Sequence, residues 1–162
     1  QAQRRGSGHA LMHALPKVPR SASVLVLIGD VPLVRVDTLR KLVRSAGKGV
    51  AICTSDLSDA AGYGRVVRGA KGKVERIVEH KDATAKEREI REWYAGFLAG
   101  NAGRLAGWLA KVANRNAPRE YYLTDVIRIA AAAGAPVRLG LRGWAGLMPA
   151  ERMSALTTRM VP

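Results

Sequence analysis

The sequence holds 162 residues, 48% hydrophobic and 25% charged, with one cysteine and a formal net charge of +14. Those values fit one globular domain burying roughly two-thirds of its unfolded surface. They exclude a disulfide-built miniprotein, an acidic disordered tail and a multidomain assembly. Only 5% of the residues are aromatic, so small aliphatic side chains must fill the core.

The charge is uneven: residues 1–50 carry net +7, residues 51–100 net +1 and residues 101–162 net +6. A basic balance favours phosphate-bearing partners, whether RNA, a membrane surface or nucleotides. The ordinary alternative is a solvated basic surface. An RNA module would need interleaved aromatics, and no such motif is present. No apolar run reaches the roughly 18 residues needed to span a membrane, and no secretory signal is seen at the start. Cys53 sits in the apolar run Val50-Ala51-Ile52-Cys53 and reads as a buried, inert thiol. A reducing cytoplasm is the expected compartment.

In chain order, Gly6-Ser7-Gly8-His9 is a glycine-rich turn leading into a helix, with N–H groups free to meet a base or phosphate. His9 and His13 lie four apart, which is metal-ligand spacing without a third ligand in sight. Ser23 to Ile28 reads as a strand buried on both faces, ending at Gly29-Asp30. Asp37 is placed to cap a helix running to Ala46, with Leu39, Leu42 and Val43 on its apolar stripe. Gly49 to Thr54 reads as a second buried strand. Strand, helix and strand at this spacing make a βαβ unit and predict an α/β fold with a mainly parallel sheet.

Residues 64–78 predict a β-hairpin whose tip is Gly69-Ala70-Lys71-Gly72. Asp82 to Ile90 predicts a short charged helix, and Trp93 to Ala99 another strand. Asn101 is placed to cap a helix through Val112, and a further helix is predicted over Tyr121 to Ala133. Pro136 to Leu141 predicts a late strand and Met148 to Met160 a last helix. No repeat and no linker divides the chain.

Asp30 is the sharpest chemical feature. A carboxylate beyond a strand's carboxyl end can hold Mg²⁺ against phosphate oxygens, or simply cap the turn before Pro32. Gly62 and Gly64 allow a backbone to approach a ligand closely, or form a bulge entering the hairpin. Glu79 can accept hydrogen bonds from sugar hydroxyls, or pair with Lys81. No Ser–His–Asp or Cys–His arrangement is evident.

Five stretches occur in order: Gln1-Ala2 to Gly6-Ser7-Gly8-His9-Ala10, Gly29-Asp30-Val31-Pro32-Leu33, Gly62-Tyr63-Gly64-Arg65, Ile77-Val78-Glu79-His80-Lys81-Asp82-Ala83 and Glu120-Tyr121-Tyr122-Leu123-Thr124-Asp125. Together they resemble the uridylyltransferase domain of the bifunctional GlmU family, from Gln1 to about Ile129. The resemblance implies a Rossmann-like nucleotidyltransferase fold with a hairpin insertion. It implies a cytoplasmic reaction of UTP with N-acetylglucosamine 1-phosphate, giving UDP-N-acetylglucosamine and pyrophosphate. By position, Gln1, Gly6 and Ser7 would read the uracil. Gly29 and Asp30 would flank the nucleotide, with Asp30 a Mg²⁺ ligand and catalytic. Gly64 and Glu79 would contact the sugar.

The departures shape the expectation. Ser7 stands where the family usually has Thr, which keeps the hydroxyl. Tyr94 stands where the family has a substrate-binding Asn. The family's second metal ligand is an Asn near the end, where only Glu151 offers a substitute. The family's opening glycine-rich loop and first strand are not in the sequence, nor is the acetyltransferase β-helix. The chain therefore reads as a partial nucleotidyltransferase domain over 1–162, with impaired turnover. The alternative is a non-catalytic nucleotide-sugar-binding module. The full-length family trimerises, and a monomer is expected for these residues.

Overall fold

The computed structural model describes residues 3–29 and 34–143. They form six strands and five helices: α1 Ser7–Ala14, β1 Ser23–Val26, α2 Val36–Ala46, β2 Val50–Asp56, β3 Arg65–Arg68, β4 Val74–Val78, α3 Ala85–Arg88, β5 Glu92–Asn101, α4 Ala102–Leu109, α5 Asp125–Ala132 and β6 Val137–Arg142.

The sheet runs β4-β3-β5-β2-β6, and β1 also pairs with β5. β5 is its spine. β2 lies antiparallel along one edge of β5, while β1 and β3 share the other edge. β2 and β6 pair in parallel. The βαβ reading of β1, α2 and β2 holds in direction, since both strands run antiparallel to β5. It fails in adjacency, because β5 lies between them. A strand inserted from 40 residues downstream leaves no local signature in the β1–β2 segment.

β1 also differs from its expected burial. Its outer edge meets no strand among the described residues. Val24, Leu25 and Val26 are half-buried, and Leu27 and Ile28 are exposed. The apolar run predicts a strand buried on both faces, and here its residues are only half-buried, with an edge that no described strand covers.

β5 carries the bend that shapes the site. Ile52 faces Leu98 and Thr54 faces Tyr94, so Cys53 alone stands opposite residues 95–97. Such a bulge bends the strand and re-aims its side chains. Gly96 sits in it at φ +82°, a conformation glycine adopts without steric cost. A Cβ there would fall against the Ile28 side chain.

Two apolar clusters sandwich the sheet. On one face Ile52, Leu98, Leu105, Leu109, Val126 and Ile127 pack with α4 and α5. On the other Leu42 and Ala46 of α2 pack on Ala51, Cys53, Trp93 and Phe97. Cys53 is fully buried, and burial pushes its thiol up to about 12. That is an inert thiol, as its sequence context predicts.

Several boundaries shift. Arg35, not Asp37, precedes α2 as its N-cap, and Asp37 lies in the first turn paired with Arg40 at 3.4 Å. α3 is shorter than predicted, bounded by a capping box of Thr84 and Glu87. The Arg76 guanidinium beside Glu87 holds its carboxyl down at about 2. Asn101 caps α4 as predicted, accepting from Arg104 N at 3.1 Å. The helix expected from Tyr121 starts only at Asp125, because the preceding residues are committed elsewhere. The predicted helix over Met148 to Met160 lies outside the described residues.

Candidate functional site

Residues 120–122 run against the start of α1. Tyr121 N donates to Arg5 O at 2.8 Å, and Gly8 N donates to Tyr121 O at 2.8 Å. Gly6 opens α1 at φ +96°. A Cβ at Gly6 or Gly8 would lie under 3.0 Å from Tyr121 O. These glycines are therefore required by a close approach of two backbones. The Gly8 N–H, expected to be free for a base or phosphate, is already used. The Ser7 hydroxyl accepts from Leu123 N at 3.3 Å and keeps its own proton to donate.

The next residue along, Thr124, donates its hydroxyl to Glu79 Oε1 at 2.8 Å. Glu79 follows the end of β4. A Cβ on Gly64 would lie 3.3 Å from Glu79 Oε2 and 2.8 Å from Ile77, so only glycine fits beside that carboxylate. Tyr94 N in turn donates to Gly64 O at 2.9 Å. One connected path of hydrogen bonds and close contacts thus links Ser7, Leu123, Thr124, Glu79, Gly64 and Tyr94.

All of that path except Gly64 lines a cavity of about 370 Å³. Ser7, Ala10 and Leu11 line one side, Glu79, Thr124 and Tyr94 another, and Val26 to Ile28 with Gly96 the floor. It opens at the carboxyl end of β1, beside Gly29, where α/β sheets place their ligands. The lining is mostly apolar with a few converging polar groups, the usual character of a small-molecule site.

Burial pushes the Glu79 carboxyl above its ordinary range, and Asp82, Asp125 and Glu120 push the same way against the Thr124 bond. Glu79 does not pair with Lys81, the ordinary alternative for it; its bond is to Thr124. The Tyr94 ring is partly exposed, but its hydroxyl is enclosed and has no hydrogen-bond partner among the described residues. Burial raises the Tyr94 hydroxyl as well. A second cavity of about 490 Å³ lies behind Glu79, with Arg76, Arg115, Arg128 and Tyr122 in its wall.

His9 and His13 approach to 3.3 Å between Nε2 atoms, and the His9 ring stacks on Tyr121 at 5.9 Å. Partial desolvation and the neighbouring His13 and Arg5 lower the His9 pKa. Gly62 faces open space at φ +83° and approaches nothing closely. Gln1, Asp30 and Glu151 lie outside the described residues. Among the described residues no group of three or more His, Cys, Asp or Glu gathers to hold a metal, and no helix is long and apolar enough to cross a membrane. Sequence reasoning missed Thr124, Gly96 and the Leu27–Ile28 floor. Thr124 lies inside a quoted motif, but a lone hydroxyl carries no spacing signal.

No family model matches the chain. Among characterised proteins it is 51% identical over 140 residues to the bifunctional protein GlmU of Bordetella petrii. It is 54% identical over 138 residues to that of Paracidovorax citrulli, and 50% over 137 residues to that of Chromobacterium violaceum. Each match covers 85% of this chain. Over those residues the chain belongs to the GlmU family. It spans about 30% of the length of these GlmU relatives. Solved structures show the same fold at 15% identity. A UDP-glucose pyrophosphorylase complexed with UDP-glucose matches 81% of this chain and 52% of its own, with a TM-score of 0.64. A Bacillus anthracis protein described as a glucose-1-phosphate thymidylyltransferase, in complex with a sucrose, matches 100% and 64%, with a TM-score of 0.67. The mixed α/β sheet is thus the Rossmann-like fold of sugar nucleotidyltransferases that the GlmU resemblance implies. Among the described residues the sheet is mixed: β2 and β6 pair in parallel, while the pairings of β5 with β1, β2 and β3 and of β3 with β4 are antiparallel, because β4 and β5 run opposite to the other four strands.

Proposed function

We propose that this chain is the nucleotide-sugar-binding part of a uridylyltransferase that joins UTP and N-acetylglucosamine 1-phosphate. In that reaction a phosphate oxygen of the sugar attacks the α-phosphorus of UTP, and pyrophosphate leaves. The observation that carries the reading is the convergence of Ser7 and Glu79, far apart in sequence, on one cavity at the end of β1.

In this reading the start of α1, with Gly6 and Ser7, faces the uracil, and the Ser7 hydroxyl donates to a base carbonyl. Gln1 completes that contact, and Gly29 lets the nucleotide lie close to the backbone after β1. Glu79 accepts from sugar hydroxyls, because an ionised carboxylate offers acceptors only. Burial raises its pKa, and sugar hydroxyls bonding the charged form would lower it. Gly64 keeps the wall thin at that point. Asp30 is the residue assigned to Mg²⁺, with Glu151 as the second carboxylate. The chain is proposed to act as one partial nucleotidyltransferase domain across its 162 residues.

A second reading, a binding module without turnover, draws on Tyr94. By the resemblance Tyr94 stands where the family has its Asn, and its enclosed hydroxyl, without a partner among the described residues, does not supply that amide contact.

The test is a thermal melt of the chain with UDP-N-acetylglucosamine, UDP and no ligand. A ligand at a hundredfold excess over its Kd stabilises by about 2.7 kcal/mol, a shift of several degrees. The expected result is a rise with both nucleotides, larger for the nucleotide sugar. A melt indifferent to both would overturn the proposal. Pyrophosphate release from UTP and N-acetylglucosamine 1-phosphate then separates the two readings.

A further inference from the structure

Arg65, the first residue of β3, is 2% exposed. It sits where three strands meet, facing Val78 of β4 and Trp93 of β5. No carboxylate pairs with it among the described residues. Its guanidinium meets backbone carbonyls and an imidazole: Nη1 donates to Tyr63 O at 2.5 Å and lies 3.4 Å from His80 Nδ1. Nη2 reaches Arg88 O at 3.5 Å, and Nε is buried with no partner. A buried cation without a counter-charge carries a large desolvation cost, which a neutral residue of similar length would avoid. Packing alone does not account for arginine here.

The three contacts share a geometric property. Tyr63 O belongs to the residue immediately before Gly64. His80 immediately follows Glu79. Arg88 closes α3, which hangs from the segment after Glu79. Gly64 packs closely against Glu79, the carboxylate that lines the cavity on the side assigned above to the sugar. We propose that Arg65 is a positioning residue: its buried guanidinium ties the residue before Gly64 to the residue after Glu79 and so fixes the wall that recognises the sugar. Its planar fork suits the task, since it reaches several acceptors at once in fixed directions, while a lysine ammonium would satisfy only part of them. The His80 contact further requires that Nδ1 carry no proton, because the guanidinium can only donate.

This inference rests on the proposed nucleotide-sugar reading, so its test uses two independent readouts. The first is calorimetric titration of UDP-N-acetylglucosamine and of UDP into the whole chain and into Arg65→Lys and Arg65→Met. Both variants are expected to melt cooperatively and to bind UDP within about twofold of the parent. Their preference for the nucleotide sugar over UDP should fall about tenfold, the size of one lost hydrogen bond to a charged acceptor. A residue that only supported the fold would change the melt and leave that preference intact. The second readout needs no ligand: carboxyl-carbon NMR titration of Glu79. In Arg65→Lys its pKa should fall toward the ordinary carboxylate value as the wall loosens. An unchanged preference in a folded variant overturns the proposal, as does an unchanged Glu79 titration. If the parent chain shows no preference for the sugar, the reading of the site fails, and the Glu79 titration alone decides the positioning role. If neither Arg65 variant folds, His80→Leu, which removes one anchor only, is carried through both readouts.

Discussion

Glu79 shows what a functional residue costs a fold. It is mostly buried, has one hydrogen-bond donor among the described residues, and faces Asp82, Asp125 and Glu120. Its folded pKa is raised, so the native state holds its proton more tightly than the unfolded chain. Stability is then unaffected below the ordinary carboxylate value and declines as pH rises toward the raised one. Glu79→Gln keeps an acceptor for Thr124 and removes the charge. We expect that variant to melt higher than the parent at pH 7, with the gain shrinking to nothing near pH 4, while binding of UDP-N-acetylglucosamine weakens. Scanning calorimetry at the two pH values checks the first half; a parent equally stable relative to the variant at both would refute it. Glu79 and Gly64 were legible in the sequence because a carboxylate and paired glycines stand out, while Ser7 was picked out by the family resemblance. Their partners were not. Thr124 and Leu123 become site residues only because the segment before α5 runs back against α1, and no local pattern encodes that.

At the scale of elements, β5 was legible as a strand but not as the centre of the sheet. Its apolar residues announce burial, and the identity of its neighbours depends on pairings made over about 30 to 80 residues. Glu92, at its start, ties three strands together. It accepts from Arg68 Nε and Nη2 of β3 at 2.7 Å each and from Thr54 Oγ1 of β2 at 2.8 Å. Burial alone would raise its pKa; the bonds from Arg68 and Thr54 outweigh burial and lower it. That lowering makes Glu92 the counterpart of Glu79. Its contribution is full above the ordinary carboxylate range and vanishes as pH falls through its lowered value. Removing the charge in Glu92→Gln leaves the half-buried Arg68 guanidinium short of its counter-charge, a loss of about 2 kcal/mol for charge-assisted hydrogen bonds. Urea denaturation at pH 7 should show this as a lower midpoint with the same slope. The difference between parent and variant should narrow at pH 3. A surface pair such as Arg142–Asp56, more than 40% exposed on both sides, gives the contrasting case of little or no loss.

For the whole molecule the governing fact is 27 basic against 13 acidic residues. Two effects of salt compete. Screening weakens the exposed pairs Arg40–Asp37 and Arg142–Asp56, each worth at most about 1 kcal/mol. Screening also relieves the mutual repulsion of a chain at net +14, a sum over many pairs that the folded state concentrates in a small volume. The repulsion is long in range, so it responds where the Debye length shrinks from about 30 Å at 0.01 M to about 8 Å at 0.15 M. The half-buried Arg68–Glu92 pair is less screened than the surface pairs and does not offset it. The melting temperature should therefore rise by several degrees between 0.01 M and 0.15 M sodium chloride and change little beyond. Chloride is the right anion, since sulfate stabilises by exclusion and also resembles the phosphate groups proposed for the site. A melting temperature that falls over that range would mean that the surface pairs, not the net charge, govern this fold. The same excess charge draws in anionic ligands. UDP-N-acetylglucosamine should accordingly bind more weakly at 0.15 M than at 0.01 M, even as the protein itself becomes more stable.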